Sequence, residues 1–295
     1  MKIVIRVLYI LLIVGIGLII SGFLTGASIE SVQNSLTDQA SYTLYEEDID
    51  LTFDSIYVST EYRNIDITVS DTIDKPHITY YLKETEEMSI TVDGAGRLNM
   101  ILSQDNQFFN WFSFGIRPSE YGLLSIQLPV SYVGDMNIST AAGNVEVDAA
   151  LGKLDIIAQF GNVEIKGSYG DINIKVSAGN IKLFDLVSTG EVSLTGQSGN
   201  INLNQVEIID TLTATVSAGN VTVEKTNALS YTLKSSAGNV LLRLNSNISS
   251  YQFKLSTSAG YARINGSKVS NTYQSGTGSL VDVITSAGNI NIYTN

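Results

Sequence analysis

The chain has 295 residues, 29 acidic against 17 basic, a formal net charge of −12 and no cysteine. Such acidity argues against a nucleic-acid partner, because phosphate binding rests on Lys and Arg. The lack of cysteine excludes disulfides, thiolate nucleophiles, cysteine-based metal sites and lipidation of an N-terminal Cys.

Lys2 and Arg6 lie in a short head, residues 1–6. Val7 to Leu24 is then an apolar run of 18 residues without a charge. At about 1.5 Å rise per residue it just spans a hydrocarbon core of about 30 Å. The expected element is one N-terminal transmembrane helix over 7–27. With basic residues before the run and acids after it, the positive-inside rule sets the N-terminus in the cytoplasm and the rest outside. The competing reading is a signal peptide cleaved near Thr25-Gly26-Ala27. Both readings export the same domain.

Residues 28–50 are polar and acidic and predict a juxtamembrane spacer. Residues 51–137 alternate apolar and polar in FDSIYVST, NIDITV, HITYYLKE, MSITV, RLNMILS and LLSIQLPV. These predict strands of irregular early coils. Charge is concentrated here, with 18 acids against five bases between Glu30 and Asp135. Within the same stretch lie five aromatics in nine residues: Phe108, Phe109, Trp111, Phe112 and Phe114. Exposed, such a patch marks a contact with a partner or a bilayer; buried, it caps the core. It is the candidate partner-binding segment.

From residue 138 to 295 a Gly-Asn unit recurs. It stands at Gly143-Asn144, Gly161-Asn162, Gly179-Asn180, Gly199-Asn200, Gly219-Asn220, Gly238-Asn239 and Gly288-Asn289, with a weaker copy at Gly260. The glycine spacings are 18, 18, 20, 20, 19, 22 and 28 residues. A period near 20 is the mark of a repeat architecture. Two and four residues after each glycine stand apolar pairs such as Val145/Val147, Ile181/Leu183 and Ile290/Ile292, the alternation of a strand with one buried face. A second strand lies midway, as in Leu154/Ile156, Ile172/Ile174 and Val192/Leu194. The expected fold is all-β: a single β-solenoid with two short strands per coil of about 18–20 residues, its coils stacked in chain order. The 28-residue spacing holds a polar insertion, Ser267–Gly278, expected to project as a loop. The chain ends at Ile290–Asn295, expected to be an open strand edge and so a route to self-association.

The IQLP strand (Ile126–Pro129), the MNISTAAGNVEV strand and the serial SAGN units together resemble the bacterial family named "putative adhesin". The resemblance covers roughly residues 50–295. It implies a solenoid-like repeat of unassigned biochemistry at the cell surface or envelope, and some relatives are associated with envelope-stress regulation. It supplies no catalytic motif.

The residues give no catalytic site either. His77 is the single histidine, so an ordinary nucleophile–base pair is missing. Glu146 and Glu164 would stack as neighbours, a weak signal for a polysaccharide-cleaving face. No cofactor or metal is called for: the aspartates of calcium-binding β-rolls are missing from the turns. The Gly-Asn rows form a structural turn ladder in which stacked amides hydrogen-bond along the rod, and serines such as Ser177, Ser217 and Ser236 stack beside them. The resulting expectation is a non-enzymatic, extracytoplasmic binding or scaffolding protein of the bacterial envelope, anchored by one membrane pass, with an envelope protein or cell-wall glycan as partner. The alternatives are a regulatory partner in an envelope-stress system and, third, a polysaccharide-acting enzyme.

Overall fold

A computed structural model describes residues 42–104 and 121–295. The first strands are β1 (Thr43–Asp48), β2 (Ser55–Tyr62), β3 (Asn64–Ser70), β4 (His77–Leu82), β5 (Glu86–Val92), β6 (Arg97–Gln104) and β7 (Leu123–Pro129). Then come β8 (Asp135–Ala142), β9 (Val145–Leu151), β10 (Leu154–Phe160), β11 (Val163–Tyr169), β12 (Ile172–Ala178) and β13 (Ile181–Ser188). β14 (Val192–Ser198), β15 (Ile201–Ile208), β16 (Thr211–Ala218), β17 (Val221–Asn227), β18 (Ser230–Ala237) and β19 (Val240–Arg243) continue the series. The last are β20 (Tyr251–Ala259), β21 (Ala262–Ile264), β22 (Ser267–Val269), β23 (Thr272–Ser275), β24 (Ser279–Ala287) and β25 (Ile290–Tyr293). The predicted transmembrane segment and the aromatic run Phe108–Phe114 lie outside the described residues.

Each coil gives one strand to each of two long sheets, of 13 and 12 strands. From β8 to β19 the stacking is parallel and in register: Leu154 pairs with Ile172, which pairs with Val192. Inward residues of both sheets fill one continuous core, with Ile156, Ile174 and Leu194 facing Val147, Ile165 and Leu183, all buried. A fully buried aliphatic side chain contributes about 1.5–3 kcal/mol.

The coil corner explains the glycines. Gly199 has φ +127°, and a Cβ on it would lie 2.0 Å from the Gly179 carbonyl oxygen. The same carbonyl contact recurs down the column from Gly143 to Gly288. Only a residue without a side chain lets one coil settle onto the next.

The spacing change from 18 to 20 also has a physical origin. β13, β15 and β17 each carry one residue in the left-handed region: Asp185 (φ 48°), Gln205 (φ 58°) and Lys225 (φ 47°). The register slips there, Ile165 pairing with Leu183 but Gly167 with Leu186. The bulge bends the strand and brings Leu186 and Val206 into the core. A further residue lengthens the turn between Ser188 and Val192.

Chain order and stacking order part company at both ends. β24 and β25 do not follow β20 and β21; they lie between them and the β18–β19 coil. At the other end β2 and β3 lie between the β6–β7 coil and the β8–β9 coil. Two expectations therefore fail. Ile290–Tyr293 is not an open edge, because β25 pairs with β19 on one side and β21 on the other. The 267–278 insertion is not a projecting loop; it forms β22 and β23, which pair antiparallel to β21 and β20 and close the rod. The opposite end is closed by β4 and β5, again antiparallel, with β1 outermost. β1 also corrects the spacer, since residues 43–48 are a strand of the solenoid. The edges left are blunted by charge or brevity: Glu46, Glu47 and Asp48 on β1, Glu87 on β5, Lys268 on β22, and four residues in β23.

Arg63 stands where the glycine column stops, its carbonyl under Gly143. Its guanidinium is fully buried and held by Glu86 of β5 at 2.6 Å, with a further bond to the Tyr81 carbonyl at 3.2 Å. This pair ties the closing strand to the coil beneath it.

Gly199→Ala is expected to destabilise the rod by about 3 kcal/mol or more, from overpacking and left-handed strain together. Gly94→Ala is the control, because a Cβ there meets nothing within 4 Å. Thermal unfolding followed by circular dichroism compares the two; equal midpoints would show that the glycine column is dispensable.

Candidate binding surface

The Asn of each Gly-Asn unit projects along one corner of the rod. Its Oδ1 accepts the backbone N–H of the next Asn: Asn144 from Asn162, Asn162 from Asn180, Asn180 from Asn200 and Asn200 from Asn220, each at 2.9 Å. Asn239 and Asn289 extend the row, which ends at the Tyr261 N–H. It begins earlier than the repeat suggested, with Asn64 accepting the Asn144 N–H at 2.8 Å. That first rung was hidden because Arg63, not glycine, precedes it. The side-chain amides also bond each other, as Asn180 Nδ2 does to Asn162 Oδ1 at 3.0 Å. The hydroxyls reaching the glycine carbonyls lie one position before the predicted serine row: Ser235 bonds the Gly219 carbonyl at 2.8 Å and Thr257 that of Gly288 at 2.9 Å.

Beside this ladder runs an open groove of about 390 Å³ across three coils. Asn162, Asn180 and Asn200 form one wall, and Glu164, Lys182 and Asn202 project from the strands. Glu146 and Glu164 are register neighbours, as their spacing required. They are not a bare acid pair, because Lys182 binds Glu164 at 3.1 Å and Lys166 binds Asp148 at 2.8 Å. Burial and the nearby Asp148 push the Asp66 carboxyl above its ordinary range. Lys182 also lies over the Phe184 ring at 4.2 Å. The surface therefore offers amides and a neutralised ion pair, with the Phe184 ring lying under Lys182. That set hydrogen-bonds but holds no poised nucleophile.

His77 lies at the acidic end, where its Nδ1 is 2.8 Å from Asp48. Among the described residues, no three His, Cys, Asp or Glu side chains converge as a metal site. Near the start of β7, Tyr121 stacks on Tyr42 at 4.7 Å and meets Tyr81 edge-on at 5.1 Å.

A family model described as Toastrack DUF4097 matches residues 53–293. Crystal structures named "putative adhesin" from Parabacteroides merdae ATCC 43184 and Parabacteroides distasonis ATCC 8503 are similar in fold. Each has a TM-score of 0.52 and covers 85% of this chain, with 12% and 10% identity and 95% and 97% of their own chains covered. No curated protein sequence matches.

Asn200→Ala removes the acceptor for the Asn220 N–H at an exposed corner. It is expected to cost about 1 kcal/mol, in contrast to the larger loss at the glycine beside it. A denaturant midpoint unchanged from the parent protein would mean that water replaces the ladder without penalty.

Proposed function

We propose, for a chain that belongs to the Toastrack DUF4097 family, that it is a non-enzymatic, adhesin-like binding protein of the cell envelope. In this reading residues 7–27 cross the membrane once, with the N-terminus inside, and the solenoid is displayed outside. The fold shared with two structures named "putative adhesin" supports the reading. The observation that carries it is the groove along the amide ladder, where one polar pattern repeats on coil after coil. A repeating surface suits a repeating ligand, and the proposed partner is a neutral or weakly charged cell-wall glycan. Hydrogen bonds to the strand-face amide of Asn202, beside the ladder, are the interactions such a ligand uses.

The absence of cysteine makes the topology directly testable. In intact cells expressing the full chain, Thr222→Cys should react with a membrane-impermeant maleimide, and Lys2→Cys should react only after lysis. Labelling of Lys2→Cys alone in intact cells would invert the orientation.

The binding role is tested by retention of the full-length protein on immobilised cell-wall polysaccharide. Asn202→Leu alters the groove without touching the turn ladder and is expected to weaken retention about tenfold, or about 1.4 kcal/mol. Equal retention of both proteins would remove the groove from the proposal.

A further inference from the structure

The cations of this chain are distributed unevenly along the rod. Residues 225–281 contain Lys225, Lys234, Arg243, Lys254, Arg263 and Lys268 and not one acid. Two of these are neutralised from outside the stretch, Arg243 by Glu224 at 2.8 Å and Lys254 by Asp282 at 3.1 Å. Of the four arginines among the described residues, Arg63, Arg97 and Arg243 each hold a carboxylate. Arg263 holds none.

Its surroundings are more unusual still. β21 and β22 form an antiparallel hairpin in which Arg263 lies directly opposite Lys268. Their flanking residues Ala262 and Ile264 are buried, so both cations project from the same outward face and are exposed. Like charges directly opposite on paired strands are destabilising. The hairpin turn does not require them, since it is set by Asn265 (φ 49°) and Gly266 (φ 80°). The Arg263 guanidinium lies over the Tyr261 ring at 4.2 Å, which orients it before any ligand arrives. On the other side of Arg263, in register, stands Asn291. The hairpin is at the far end of its sheet from β1, roughly 58 Å away at about 4.8 Å per strand.

We infer that Arg263 and Lys268 form an oxyanion-binding site at the tip of the rod, with Asn291 as an added donor. The ligand class is a polyanionic surface polysaccharide, bearing carboxylates or phosphodiesters. A forked guanidinium beside an ammonium recognises either group. An anion between the two cations removes their repulsion, so the local cost in the free protein becomes affinity in the complex. The site is separate from the amide groove, and neither depends on the other.

The test uses full-length protein in detergent micelles. The immobilised probes are polygalacturonate and polyphosphate, with dextran and phosphatidylglycerol vesicles as comparisons. Retention is expected on at least one polyanion, not on dextran, and should fall as salt rises. The two polyanions distinguish carboxylate from phosphodiester. Lys268→Glu is the decisive variant. It places a carboxylate opposite Arg263, so the thermal midpoint should hold or rise while retention falls about tenfold or more. Lys234→Gln, elsewhere on the rod, should leave retention unchanged. The inference is overturned if neither polyanion is retained, if Lys268→Glu binds as well as the parent protein, or if only the vesicles are bound.

Discussion

Everything in this molecule depends on how closely one coil approaches the next at the Gly-Asn corner. The carbonyl oxygen of one glycine occupies the space where the following glycine would carry its Cβ, 1.9–2.1 Å away down most of the column. No side chain fits, and the coils can settle to the strand spacing of about 4.8 Å. At that spacing an Asn Oδ1 reaches the next Asn N–H at hydrogen-bond distance, and the buried isoleucines, leucines and valines of neighbouring coils touch. The turn chemistry, the amide ladder and the core are three consequences of one close approach. The rest of the coil is less strict. β13, β15 and β17 absorb an extra residue at Asp185, Gln205 and Lys225, and the cost there is left-handed strain at residues that disfavour it.

A solenoid solves the problem of its middle and creates one at its ends, where apolar side chains and strand edges lack a neighbour. This chain handles both ends alike. The coil nearest each end of the solenoid sequence is placed one position inside, the adjoining coil is outermost, and short antiparallel strands cover it. The chain's final strand is paired on both sides, so fraying of the C-terminus would have to break two ladders. The residual edges carry like charge, acids on β1 and β5 and Lys268 on β22, which opposes edge-to-edge growth between like ends. The same choice polarises the rod, acidic at one end and basic at the other.

The middle of the fold was legible in the sequence because each coil repeats the same physical demands: glycine at the crowded corner, amide beside it, β-branched residues inward. The ends were not legible for the same reason. Phe253, Val281 and Tyr231 occupy equivalent inward positions, and Ala259, Ala287 and Ala237 occupy equivalent exposed ones. The coils at 251–264 and 279–293 both fit against β18 and β19, and nothing local says which comes first. One signal was available. Asn265-Gly266 is a hairpin turn of the kind that reverses a strand, and a reversed strand cannot continue a parallel coil. The Arg63–Glu86 pair was out of reach, since two residues 23 apart in an irregular stretch show no sequence sign of burial together. Of the groove, the amide wall was legible from spacing. The facing residues Glu164 and Lys182 were visible as positions but not as a bonded pair.

The ladder's regularity also limits what it can recognise. Each ladder Asn oxygen already accepts a backbone N–H, and several amides bond each other. A ligand meeting that row must compete with bonds already made, at a cost close to what it would gain. Selectivity therefore has to come from groups that the repeat does not consume. Asn202 on the strand face is of that kind, and Arg263 with Lys268 at the tip is the extreme case, because there the fold itself is better off when something else is bound. The repeat builds the distance and the stiffness, and the departures from it carry the chemistry.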